Sequence, residues 1–281
     1  RFSPVLHSFA IGLEGSPDLK AARVMAERLK TTHHEVIYTI DEGLAALPEV
    51  VKSLETVDTT TIRASTPMWL LAKYIRTHTN IKFVLSGEGS DEALMGYLYN
   101  HYAPDPEAAE AEAVRRVNQL YMYDCQRANL SMMAHGIETR VPFLDLKFLD
   151  FVMQLKGEVR LPRNGIEKYC LRDACESLGI PESILWRKKE QFSDGVGYGW
   201  IDSLKAFTKQ HVTPDMREDV RVAFGREATC DEQCYYMHLF ATQFPPNHCL
   251  SVGKTTETWA PQWCASTDPS GRAASIHDCA F

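Results

Sequence analysis

The period of the apolar positions changes repeatedly over the first hundred residues, and each change marks a predicted element. Residues 6–11 read as a buried strand closed by a turn between Gly12 and Gly15. Ser16-Pro17-Asp18 then supplies an N-cap with proline at the first helical position, and Leu19, Ala22, Ala26 and Leu29 share one face of the predicted helix. Residues 36–40 predict a second strand, and Leu44, Leu47, Val51 and Leu54 a second helix that Pro48 either kinks or starts. Thr66-Pro67 repeats the cap signal ahead of Met68, Leu71, Ala72 and Ile75, and residues 81–85 form a short buried strand. Strands alternating with helices predict an α/β fold, a parallel sheet with helices on both faces.

Beyond residue 105 the pattern becomes helical. Residues 106–135 read as one long helix with Val114, Val117, Tyr121, Ala128 and Met132 facing inward, and loops are expected at 136–145, 161–165 and 191–199. The expected organisation is a nucleotide-binding α/β part over residues 1–105, a mostly helical part of the same domain over 106–244, and an irregular tail over 245–281.

Composition narrows the classes. With 281 residues and 44% apolar content the chain can bury a large core, and its net charge of -7 argues against a nucleic-acid partner. No apolar run reaches the roughly 20 residues of a membrane helix, so no membrane role is expected. Eight cysteines without a C-x-x-C pair predict reduced thiols and a cytoplasmic location. The sequence enters its first strand within a few residues of Arg1, which is expected of a piece of a longer protein.

In an open parallel sheet ligands bind beyond the carboxyl ends of the strands, which directs attention to the loop Ser86-Gly87-Glu88-Gly89-Ser90-Asp91-Glu92. Its glycines allow close backbone approach, but it carries three carboxylates and no lysine. Such a loop suits a nucleotide only with Mg²⁺ between carboxylate and phosphate, with Asp91 as the metal ligand and Glu88 placed to take a proton from an attacking amine. Its bland alternative is an acidic helix N-terminus favoured by the helix dipole. Arg187-Lys188-Lys189 precedes a loop bearing Gly195, Gly197 and Gly199, and reads either as a solvated surface or as a source of charge for a departing pyrophosphate. Arg63, in the hydroxyl-rich stretch Thr59 to Pro67, is a candidate catalytic cation or a loop arginine in an ordinary ion pair. Asp124 and Arg127, three apart on the long helix, read as a surface ion pair.

Several segments together carry a resemblance. The loop 86–92 with Gly96-Tyr97-Leu98, residues 60–67, Tyr123-Asp124-Cys125 with Arg127-Ala128-Asn129, residues 136–145, 186–199 and Asp268-Pro269-Ser270-Gly271-Arg272-Ala273 resemble, in order, the synthetase domain of glutamine-dependent asparagine synthetases. The resemblance implies an N-type ATP pyrophosphatase fold, related to adenine nucleotide alpha hydrolases. It also implies amidation of aspartate through a β-aspartyl-AMP intermediate, with ATP and Mg²⁺, and with ammonia released from glutamine in a glutaminase domain absent here. By position, Ile11 resembles the family's adenine contact, Ser86 and Gly87 its ATP contacts, Asp91 its Mg²⁺ ligand, Lys189 its pyrophosphate lysine and Glu88 its base for ammonia. The family's Ser-Gly-Gly-x-Asp-Ser loop and first strand belong upstream of residue 1, so the piece alone is expected to be inactive. Rival readings are a β-lactam synthetase-like amide-forming enzyme, which has tyrosine where Glu88 stands, and a non-catalytic nucleotide-binding remnant. The oligomeric state is left open, a homo-oligomer included.

Overall fold

The computed structural model describes residues 5–189, 195–197, 199–252 and 261–264. Its strands are β1 (His7–Gly12), β2 (Thr32–Ile37), β3 (Phe83–Leu85) and β4 (Glu138–Arg140). β1 pairs in parallel with β2, and β3 in parallel with β4. Parallel pairing is as expected, but no ladder joins the two pairs among the described residues, so the expected single sheet is present as two. Both pairs rest on one layer of helix, because Phe9 of β1 and Val84 of β3 pack against the same cluster of Met68, Ala72, Ile75, Ala128 and Met132.

The first helices follow the sequence closely where caps decide them. Helix α1 (Pro17–Leu29) starts at the Ser16 cap and buries Leu19 and Ala26, while Leu29 is exposed. Helix α2 (Ile40–Leu54) begins with a reciprocal capping box between Thr39 and Glu42 and runs through Pro48, which neither starts nor ends it. Helix α3 (Thr59–His78) starts at Asp58, whose carboxylate accepts from Thr61 N at 2.7 Å, so Pro67 is interior and does not open the helix. A proline at 67 leaves the carbonyl of residue 63 without its helical donor. The indole of Trp200 supplies one instead, at 2.9 Å from the Arg63 oxygen.

The expected long helix is two. Helix α5 (Pro106–Gln119) and helix α6 (Asp124–Met133) follow the single turn α4 (Ser90–Ala93), and a 3₁₀ turn over Leu120–Met122 divides α5 from α6. The inward face of α5 is also rotated from the one its apolar residues suggest. Ala109, Glu112, Ala113 and Arg116 are buried, whereas Val114 and Tyr121 face solvent. A buried ion pair between Arg116 and Glu112, 2.8 Å apart, explains the misreading, since a paired charge can occupy a core position that hydropathy assigns to an apolar residue.

The helices Gly199–His211, Pro214–Phe224 and Asp231–Gln243 close the main core over α2, with Trp200, Leu204, Tyr236 and Phe240 packed against Leu47, Val50 and Leu54. Trp200 lies where a Cβ on Gly43 would stand, which fixes glycine at that point of α2. The stretch expected to be irregular from residue 245 opens with a helical turn, Pro246–Ser251, whose Cys249 is buried. The expected tail motif at 268–273 lies outside the described residues.

Candidate active site

The acidic loop leaves the carboxyl end of β3, and Ser86 N extends that strand by donating to Arg140 O at 2.9 Å. Gly89 adopts φ 88°, and a Cβ there would collide with Leu144, so glycine is needed to turn the chain into α4. Gly96 lies against Asp91 so closely that a Cβ would meet its Oδ1.

Around this turn the structure gathers charges from four separate parts of the chain. Asp91 is held on both oxygens: Lys168 Nζ lies 2.7 Å from Oδ1 and Lys189 Nζ 2.9 Å from Oδ2. Burial alone would raise the Asp91 pKa, but the two ammonium groups outweigh it and hold the carboxyl well below the usual range. Burial likewise works against Lys189, and Asp91 outweighs it, so the ammonium form is favoured. Glu88 Oε2 accepts from Arg127 Nη2 at 2.8 Å, and the same guanidinium grips Asp124. Burial pushes the Glu88 pKa up and Arg127 only partly offsets this, which makes Glu88 a better proton acceptor than an exposed glutamate. Glu92 is buried, takes the Tyr97 hydroxyl in a short hydrogen bond, and has its pKa raised well above normal by burial and then by Asp124 and Asp91.

The basic run resolves into three different fates. Arg187 pairs with Asp18 at 2.7 Å, Lys188 is exposed, and Lys189 turns inward to Asp91. Asp124 and Arg127 are not a surface pair, since their side chains are 8% and 12% exposed and join Glu88. Ile11 is buried at the carboxyl end of β1, next to the point where Leu13 N donates to Val196 O at 2.6 Å and Ser16 Oγ to Gly195 O at 2.6 Å. Ser86 is half-buried and Gly87 exposed at the mouth of the acidic loop. Arg63 is buried and bidentate on Glu232. Glu190, Gln191, Phe192, Ser193 and Asp194 of the second motif lie outside the described residues.

Sequence reasoning missed Lys168, Glu167 and His101. Glu167 is buried, bonds His101 Nε2 at 2.6 Å and accepts from the Lys189 backbone N–H at 3.2 Å, so it sets where Lys189 stands. No local pattern announces them, because Glu167's partners are 66 and 22 residues away and Lys168 meets Ser90 across 78.

This arrangement, a low-pKa carboxylate between two lysines beside a buried glutamate at the carboxyl end of a parallel strand, suits a site for phosphate and carboxylate chemistry. A family model described as asparagine synthase matches residues 1–112 and 102–238. The chain belongs to the asparagine synthase family. Asparagine synthetase B [glutamine-hydrolyzing] of Escherichia coli is 46% identical over 291 residues, 99% of this chain and 52% of that protein. A probable asparagine synthetase [glutamine-hydrolyzing] of Schizosaccharomyces pombe is 49% identical over 285 residues, 98% of this chain and 50% of the relative. The corresponding protein of Dictyostelium discoideum is 46% identical over 285 residues, with 98% and 50% covered. The chain therefore spans about half the length of the curated relatives it matches. Family membership agrees with an adenine nucleotide alpha hydrolase type of fold and with small parallel sheets. Among the described residues no helix is long and apolar enough to cross a membrane, and seven cysteines are free thiols.

Proposed function

We propose that this chain is the amide-forming part of a cytoplasmic glutamine-hydrolysing asparagine synthetase, which uses ATP to activate the β-carboxylate of aspartate as an acyl-adenylate and passes the acyl group to ammonia. The observation that carries the reading is the convergence of Asp91, Lys189 and Glu88 on the loop beyond β3, with Asp91 and Lys189 98 residues apart in sequence, in a chain of this family. Activation is needed because a free carboxylate would have to expel oxide, whereas the adenylate expels AMP.

In this reading Lys189 meets the pyrophosphate charge as it develops, while Ser86, Gly87 and the end of β1 at Ile11 line the nucleotide. Glu88, held by Arg127, takes a proton from the attacking ammonia at its carboxylate. The residues present fit Mg²⁺, since Asp91 is a hard oxygen donor kept ionised, and this ion commonly takes one or two carboxylates together with substrate phosphates. Bound there, Mg²⁺ would neutralise charge on the phosphate oxygens. Ammonia would come from glutamine in the part of the protein that the relatives have and this chain does not span.

The test is aspartate-dependent exchange of pyrophosphate into ATP by the full-length protein, followed by asparagine formation with ammonium. Asp91→Asn is expected to depress exchange much more than aspartate binding. Equal losses in both would remove the metal-ligand role, and absence of aspartate-dependent exchange in the wild type would overturn the reading.

A further inference from the structure

Resting on the reading of Lys189 as a cation of the reaction, we propose that Asp18 is a positioning residue, which acts on Lys189 through Arg187. Asp18 stands in the first turn of α1, and its carboxylate meets the segment that carries Lys189 on both flanks. Oδ1 accepts from Arg187 Nη2 at 2.7 Å, just before Lys189 in the chain. Oδ2 lies where a Cβ on Gly195 would stand, just beyond it.

The far flank is tied to the same turn by two more bonds. Ser16 Oγ donates to Gly195 O at 2.6 Å while it caps α1 by accepting from Leu19 N at 3.4 Å, and Leu13 N donates to Val196 O at 2.6 Å. Gly197 adopts φ 138°, and a Cβ there would meet the Leu13 side chain at 2.8 Å. Glycines at 195 and 197 therefore let the segment lie down on the β1–α1 turn, a use that Gly199, where a Cβ would meet nothing, does not share.

Both members of the Asp18–Arg187 pair are 29% exposed, and an ion pair so placed adds little to overall stability. Its use is directional. Lys189 is held at its ammonium by Asp91 and at its backbone N–H by Glu167, both outside the β1–α1 turn. Arg187 supplies the tie to that turn, beside the buried Ile11. A cation that meets charge only as the reaction proceeds acts through where it is held beforehand, and Asp18 joins that placement to the end of β1.

The experiment uses the full-length protein and aspartate-dependent exchange of pyrophosphate into ATP. Asp18→Asn keeps the side chain's size and removes its charge, and its kcat is expected to fall about fivefold, the rate equivalent of a partly exposed ion pair, with KM for ATP within about twofold. Asp18→Ala should lose at least as much, and Arg187→Lys should keep more activity than Arg187→Gln. Because the two residues act through one contact, Asp18→Asn combined with Arg187→Gln should be no slower than the slower single variant. A readout independent of turnover is acylation followed by mass spectrometry: Lys189 is expected to react faster in Asp18→Asn than in the wild type, while Lys52, exposed on α2, reacts alike in both. Unchanged kcat in both Asp18 variants, additive losses in the double variant, or wild-type acylation of Lys189 in Asp18→Asn would make the pair an ordinary surface bridge and overturn the proposal alone. Exchange that survives Lys189→Met would overturn the parent reading of Lys189, and this inference with it.

Discussion

Replacing Arg63 with methionine is expected to cost stability because of what it leaves behind. Arg63 and Glu232 form a bidentate pair at 2.7 Å with side chains 2% and 3% exposed, and Tyr236 Oη donates to the same carboxylate at 3.0 Å. Without the guanidinium, Glu232 is a buried anion held by one hydroxyl, a loss of about 3–5 kcal/mol. Glu232→Met, which takes the bidentate carboxylate from a buried guanidinium, should lose a similar amount. The double variant exchanges the pair for apolar side chains and should lose less than either single variant, so the coupling exceeds about 3 kcal/mol, the loss of one single variant. Urea unfolding followed by tryptophan fluorescence is a suitable assay, since the Trp200 indole donates to the Arg63 carbonyl and is fully buried. Additive losses, or single-variant losses under about 1 kcal/mol, would refute the argument. The same variants address the catalytic candidacy of Arg63. A structural Arg63 predicts equal kcat/KM for the two single variants under conditions where both are folded, and a lower value for Arg63→Met alone would place it against substrate.

Glu88→Gln should slow amide formation by roughly 10²–10⁴ in single-turnover experiments while pyrophosphate release continues, and parallel loss of both would move Glu88 to an earlier step. Burial tends to raise the Glu167 pKa, but the hydrogen bond from His101 and backbone N–H groups overcome it and depress the folded value. The stability Glu167 contributes is therefore present above the ordinary glutamate pKa near 4.3 and disappears as pH falls through the lower folded value. Glu167→Gln should accordingly differ from wild type at neutral pH and converge with it in acid, and a gap that persists in acid would contradict the sign. Burial, aided by Asp124 and Glu88, pushes the Cys125 thiol up to about 11, so its alkylation at pH 8 should be roughly a hundredfold slower than that of an ordinary thiol, as mass spectrometry of labelled peptides would reveal.

Local chemistry was legible in the sequence wherever neighbours in the chain decide it. The Ser16 cap, the parallel strands and the placement of the acidic loop at a strand's carboxyl end all follow from short-range pattern. Lys189 could be singled out from the run Arg187-Lys188-Lys189 only through the family resemblance, because its partner Asp91 lies 98 residues away. Elements governed by distant partners were misread. Pro67 looked like a helix start because nothing near it reveals that Trp200 would satisfy the carbonyl it frees. The face of α5 was assigned by its valines, since hydropathy cannot show that Glu112 and Arg116 neutralise each other in the core. Lys168 escaped notice for the same reason, being one lysine after a turn until Asp91 is brought to it.

The bond from Trp200 to the Arg63 carbonyl spans 137 residues, and the Arg63 to Glu232 pair spans 169. During synthesis, helix α3 must therefore wait for the last third of this sequence before its interior proline is accommodated and its buried arginine is neutralised. Until then the early α/β part carries an unclosed core, with Gly43 holding open the slot for an indole not yet made. Contacts of such long sequence separation form late and slowly, which leaves apolar surface of the nascent chain exposed over that interval. A frameshift or stop within the helices that carry Trp200 and Glu232 would thus disable the early α/β part as well, although the bases encoding it are intact.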